Sequence, residues 1–153
     1  MTQLYVSDGR GLEALGLAAS FPGHKAPASG YLRWEGLLPW QVRRVRDYVE
    51  SGLNSRPSIK GAAERAKLSP SYFSRRFRQS FGMTFSQFVA RRRIARAQTM
   101  MIRSRSSLCQ IALACGFTDQ AHFTRTFGGL IGSTPSEWRR LAAHPREQTL
   151  GSH

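Results

Sequence analysis

From Pro39 onward, apolar residues recur every three or four positions, and short runs of Gly, Pro, Ser and Thr interrupt them. The stretch "PWQVRRVRDYVESGL" places Val42, Val45, Val49 and Leu53 on one helical face, with Gly52 near its end. "SIKGAAERA" predicts a second helix with Ser58 as its N-cap. "SPSYFSRRFRQSFG" opens with Ser69 as cap and Pro70 at the first helical position, and closes at Gly82. "TFSQFVARRRIARAQTMMIRS" predicts a helix of about 20 residues, roughly 30 Å long. "SLCQIALAC", "DQAHFTRTF" and "TPSEWRRLAA" follow as three shorter ones. No segment alternates strictly between apolar and polar as a half-buried strand would. The pattern predicts an all-α fold of seven helices. Residues 1–37 differ: they are rich in Gly, Ala, Pro and Ser, contain "FPGHKAPASG", and show no sustained period. They read as a loosely ordered leader with a short helix over "GLEALGLAAS", and residues 143–153 as a tail.

The helical pattern occurs twice. At a shift of 49 residues, Ser58, Ile59, Ala62, Ala63, Ala66 and Leu68 fall on Ser107, Leu108, Ile111, Ala112, Cys115 and Phe117. Past the next turn the shift becomes 50, and Phe73, Arg75, Phe77, Gly82, Thr84 and Ser86 fall on Phe123, Arg125, Phe127, Gly132, Thr134 and Ser136. One residue has been inserted in the second copy's turn. Thr84 to Gln87 and Thr134 to Glu137 both have the form of a capping box. Two copies are too few for a solenoid. Each copy is a helix, a tight turn and a second helix, the layout of a helix-turn-helix whose second helix enters the DNA major groove.

Spacing alone assigns the faces of those second helices. Phe73 and Phe77 sit one turn apart and face inward, so Ser71, Ser74, Arg75 and Arg78 face outward. In the second copy the outward set is Ala121, Thr124, Arg125 and Gly128, with Gln120 beside them. Small polar residues let a helix backbone approach base edges, and Arg can bond bidentately to guanine N7 and O6.

Charge narrows the class of partner. The 153 residues hold 23 Lys and Arg, 20 of them Arg, against 9 Asp and Glu, for a formal net charge of +14. Residues 1–35 sum to zero, so the whole excess lies downstream, an electrostatic footprint for a polyanion. Charge alone fits anionic membranes and RNA as well as DNA. No stretch approaches the roughly 18 continuous apolar residues of a membrane span. The N-terminus lacks a secretory layout, and two cysteines without a signal predict reduced thiols in the cytoplasm.

Cys109, Cys115 and His122 invite a metal or redox reading. Six positions apart on one helix, the two cysteines point about 240° apart and can neither pair nor chelate one ion. Cys115 matches Ala66 in the repeat and is expected to be a small core residue, with His122 a partly buried neighbour. No Ser-His-Asp set, carboxylate pair or phosphate-cradling Gly loop appears, so neither enzyme activity nor a cofactor is expected. Phe73, Phe77, Phe123, Phe127, Trp138 and Trp40 read as core. Arg91, Arg92 and Arg93 cannot share a helix face, so one is expected to pack or bond between the two copies and the others to be solvated or near phosphate.

"IALACGFTDQAHFTRTF" followed by "GSTPSEWRR" resembles the C-terminal signature of AraC/XylS-type transcription regulators. "LPWQVRRVRDYVE", "LSPSYFSRRFRQSFGMT" and "RRRIARAQTMM" resemble the rest of that family's DNA-binding domain, in order. The resemblance implies a domain over 38–142, with helix-turn-helix units at about 58–82 and 107–128 joined by a linker helix, 84–103. It implies that the two second helices enter successive major grooves, and that Ser71, Ser74, Arg75, Gln120, Ala121, Thr124 and Arg125 take the base-reading places. Two features depart from the family. A leader of 36 residues is too short for the usual sensor domain, and Gly128 and Gly129 replace a basic pair, which should shorten that helix and weaken the second copy. The expected protein is a sequence-specific transcription regulator, an activator more often than a repressor. It would bind double-stranded DNA as a monomer, with RNA polymerase as a candidate partner. The rivals are a non-specific basic nucleic-acid binder, a regulator that has lost its sensor, and the targeting half of a DNA-repair protein.

Overall fold

The computed structural model describes residues 35–143; the leader with its short helix and the tail expected from the sequence lie, but for their innermost residues, outside that range. Seven α-helices are present among the described residues: α1 (Pro39–Ser51), α2 (Ile59–Arg65), α3 (Pro70–Phe81), α4 (Phe85–Arg103), α5 (Leu108–Ala114), α6 (Gln120–Ile131) and α7 (Pro135–Ala143), with a 3-10 turn at Leu53–Ser55. No strand occurs among the described residues. The caps are those the sequence predicts. Ser58 accepts the Gly61 N–H, Ser69 accepts that of Tyr72, and Thr84 and Gln87 bond reciprocally. Gly82 and Gly132 end α3 and α6 in the left-handed conformation, which L-residues adopt only under strain.

Two separate cores form, and α4 belongs to both. The first gathers Val45 and Val49 of α1, Ala62 and Ala63 of α2, Phe73 and Phe77 of α3, and Phe85, Phe88 and Val89 from the first half of α4. The second gathers Ile94, Ala97 and Met101 from the rest of α4 with Ile111, Ala112, Cys115, Phe117, Phe123, Phe127 and Trp138. Phe77 anchors the first core. Its ring lies 4.4 Å from that of Phe81 and 5.5 Å from those of Phe73, Phe85 and Phe88. At 19 residues, α4 is about 28 Å long.

Trp40 departs from expectation. It is 41% exposed, with the Arg44 guanidinium over its ring. The inward face of α1 runs through positions 41, 45 and 49, which turns position 40 to the surface; Leu37, before the helix, fills the core instead. Gln41 is buried on that face and satisfies two helix ends. Its Oε1 accepts the Leu38 N–H at 2.8 Å, and its Nε2 donates to the Ala66 carbonyl at the end of α2, also at 2.8 Å.

Candidate nucleic-acid interface

With Phe73 and Phe77 fully buried, the opposite side of α3 is fixed, and Ser71, Ser74, Arg75 and Arg78 are all exposed on it. The Ser74 hydroxyl donates to the Pro70 carbonyl at 2.9 Å, which leaves its oxygen facing outward as an acceptor. Arg75 and Arg76 lie over the ring of Tyr72, 5.8 and 5.0 Å from its centroid. This half-exposed tyrosine lends both guanidiniums a cation–π contact.

The equivalent face of α6 is built on the buried Phe123 and Phe127. Asp119 caps the helix by accepting the His122 N–H at 2.7 Å. Gln120, Ala121 and Arg125 are exposed, whereas Thr124 is half-buried. The extra residue of the second turn is Thr118, which precedes the cap. His122 is half-buried, edge-on to Phe117 at 5.3 Å.

The two glycines do not shorten α6: it has 12 residues, as α3 has. Among the described glycines positive φ is confined to Gly82, Gly116 and Gly132, so Gly128 and Gly129 keep φ negative within the helix. A Cβ at either would meet nothing within 4 Å, so packing does not require glycine there. The charge on the two helices differs: α3 carries Arg75, Arg76 and Arg78, and α6 carries Arg125 alone. Residues 36–83 hold ten basic and three acidic residues, 84–106 hold six Arg and no acid, and 107–143 hold three Arg and two acids.

The arginine triplet of α4 divides. Arg93 donates from Nε to the Leu53 carbonyl at 3.0 Å and lies over the Phe117 ring, so it bonds between the two cores. Arg92 is neither solvated nor free, since it pairs with Glu50 of α1; Arg91 is exposed. Burial, and then the charge of Arg56, lower the Arg93 pKa. A groove of about 560 Å³ lies beside this junction, lined by Arg56, Ser58, Arg93, Thr118 and His122 among others, with no acidic residue.

Cys109 is exposed and Cys115 is fully buried. Burial pushes the Cys115 thiol up to about 11 against the pull of Arg96 and Arg93, and its Sγ packs 3.8 Å from Met100 Sδ. Among the described residues no group of three or more His, Cys, Asp or Glu could hold a metal ion, and no helix is long and apolar enough to cross a membrane.

Residues 62–141, just over half of the chain, match the protein family described as a helix-turn-helix domain. The chain belongs to this family, in its AraC/XylS-type form. This AraC-type chain is 33% identical over 93 residues to the HTH-type transcriptional activator RhaR of Escherichia coli (strain K12), covering 61% of this chain and 33% of RhaR. It therefore spans about a third of the length of the curated relatives it matches. An AraC-type transcriptional regulator from Chromobacterium violaceum superposes with a TM-score of 0.65 at 28% identity, covering 69% of this chain and 94% of that one. The DNA-binding domain of AdpA, a global transcriptional factor solved in complex with a target DNA, superposes with a TM-score of 0.64 at 28% identity, covering 71% and 97%.

Sequence reasoning missed the inward Gln41, the 3-10 turn, and the contacts among Arg56, Arg93 and Gly116. Periodicity reports which face a residue takes, not which distant carbonyl it meets.

Proposed function

We propose that this chain is a sequence-specific DNA-binding transcription regulator whose α2–α3 and α5–α6 pairs are two helix-turn-helix units joined by α4. In this reading α3 and α6 enter successive major grooves on one side of the duplex. The single observation that carries it is the repeated arrangement of small residues and an exposed Arg, Ser71, Ser74 and Arg75 against Ala121, the half-buried Thr124 and Arg125, opposite a buried Phe pair in both copies. A length of about 28 Å for α4 is compatible with reading heads roughly one helical turn, or 34 Å, apart. The solved complex of AdpA with its target DNA supports DNA as the partner.

Two kinds of contact do the work. Arginines of α3, α4 and the α1 region attract phosphates and release counterions, which makes affinity fall with salt. Arg75 and Arg125 then select guanine, with Gln120, Ser71, Ser74 and Thr124 as shorter-range polar readers and Ala121 allowing close approach. Arg78 lies at the edge of the α3 face as a phosphate contact. The two faces differ, so the site is asymmetric and is bound by a monomer. The name of the RhaR relative supports an activator, which acts in the cytoplasm through contact with RNA polymerase.

Selection from random duplexes tests this reading. Two short half-sites about one turn apart support it. A flat profile with the same salt dependence would make the chain a non-specific basic binder.

A further inference from the structure

We infer that Arg93 is a positioning residue that locks the angle between the two helix pairs and thereby sets the spacing between half-sites the chain accepts. The inference rests on the reading of α3 and α6 as the two DNA-reading helices.

Arg93 sits on α4 where the first core ends and the second begins, between Val89 and Ile94. A helix alone fixes distance along its axis; it does not stop two small bodies from rocking about it. The chain supplies a second connection at one atom, the carbonyl oxygen of Leu53 in the 3-10 turn of the first unit. Arg93 Nε donates to that oxygen at 3.0 Å while its guanidinium covers Phe117 of the second unit at 5.8 Å.

The same oxygen is what Gly116 accommodates. A Cβ there would stand 2.2 Å from the Leu53 carbonyl and 2.9 Å from Arg93 Nη2, and the φ of +85° independently disfavours any other residue. The repeat-equivalent residue, Lys67, has the same left-handed backbone (φ 56°) but is exposed. Glycine in the second turn thus serves the approach of the two units as well as the turn. Arg56 adds a weaker tie, from Nη2 to Thr118 Oγ1 at 3.4 Å, and Thr118 is the residue inserted in the second turn. Burial disfavours the charged form of Arg93, and Arg56 nearby adds repulsion; the carbonyl and the ring are what hold Arg93 in place.

Spin labels at Glu64→Cys and Leu113→Cys, exposed and repeat-equivalent positions, in a Cys109→Ser background, report the distance between the units in the full chain without DNA. Arg93→Ala should widen a narrow distance distribution. Arg93→Lys, which keeps the charge but not the planar fork, should widen it less and guards against an alanine variant that fails to fold. In parallel, random-duplex selection with Arg93→Ala should yield both half-sites with their base preferences intact but with variable spacing. Affinity for the wild-type spacing should fall about tenfold or more, as expected when one linked site no longer presents the other at high effective concentration. An unchanged distance distribution in both folded variants, or an unchanged single spacing, overturns the inference while leaving the DNA-reading assignment intact. A flat profile from the wild-type chain overturns both.

Discussion

The first and second helix pairs share one backbone plan and differ in what covers it. Both have a Ser-capped short helix, a left-handed residue at the turn, and a 12-residue second helix over a buried Phe pair. The first is dense in Arg and packs a ladder of five phenylalanines, Phe73, Phe77, Phe81, Phe85 and Phe88. The second has a single Arg on its exposed helix, two glycines where packing asks for none, and a turn pressed against the first unit. The two pairs agree where packing demands it and differ on the solvent face. The first unit is therefore expected to supply most of the electrostatic affinity, and the second to add sequence discrimination.

The largest effects should come from the cores. Phe77→Ala and Phe127→Ala should each cost about 3–5 kcal/mol in urea unfolding. Phe77 should lie toward the upper end, because it touches four rings where Phe127 touches Phe123 and Trp138. Equal costs would mean that the aromatic ladder adds nothing beyond burial.

Next come Arg75 and Arg125. Arg75→Ala should cost about 1–3 kcal/mol on the selected site and relax base preference at one position of one half-site. Arg125→Ala should do the same in the other half-site with a smaller loss. Uniform weakening on all sequences would make Arg75 a phosphate contact instead.

The glycines allow the difference between the units to be reduced. Gly128→Ala and Gly129→Ala should each stabilise by about 0.5–1 kcal/mol in thermal unfolding, since a methyl group at either enters open space. Gly128→Arg, at the repeat position of Arg78, should steepen the dependence of log affinity on log salt by about one. No change in slope would remove position 128 from the phosphate path.

The thiols give the smallest readout. In the native chain a maleimide should modify Cys109 and spare Cys115, which is buried and has its pKa raised to about 11. Unfolding should expose the second. Fast double labelling of the native chain would contradict a packed second core.

The sequence made the helices, their caps and the exposed faces legible because each depends on residues within a turn or two of one another. Ser58, Ser69, Thr84 and Gly82 act locally, and the Phe pairs of α3 and α6 have the spacing of one helical turn. Trp40 was misread because size and hydrophobicity suggest burial, while the register of α1 directs Gln41 inward. The effect of Gly128 and Gly129 on helix length was misread because intrinsic propensity is weak beside the anchoring of Phe127 and Ile131 in a formed core. The Leu53–Arg93–Gly116 junction could not be read, since it depends on a backbone carbonyl about 40 positions before Arg93.

The proposed function is an asymmetric, two-helix reading of one duplex. Its most direct measurement is the affinity of the wild-type chain for its selected site with each half-site scrambled in turn. Both changes should weaken binding, and loss of the half-site assigned to α3 should weaken it more. Indifference to either scrambling, or a larger loss at the half-site read by α6, would contradict it.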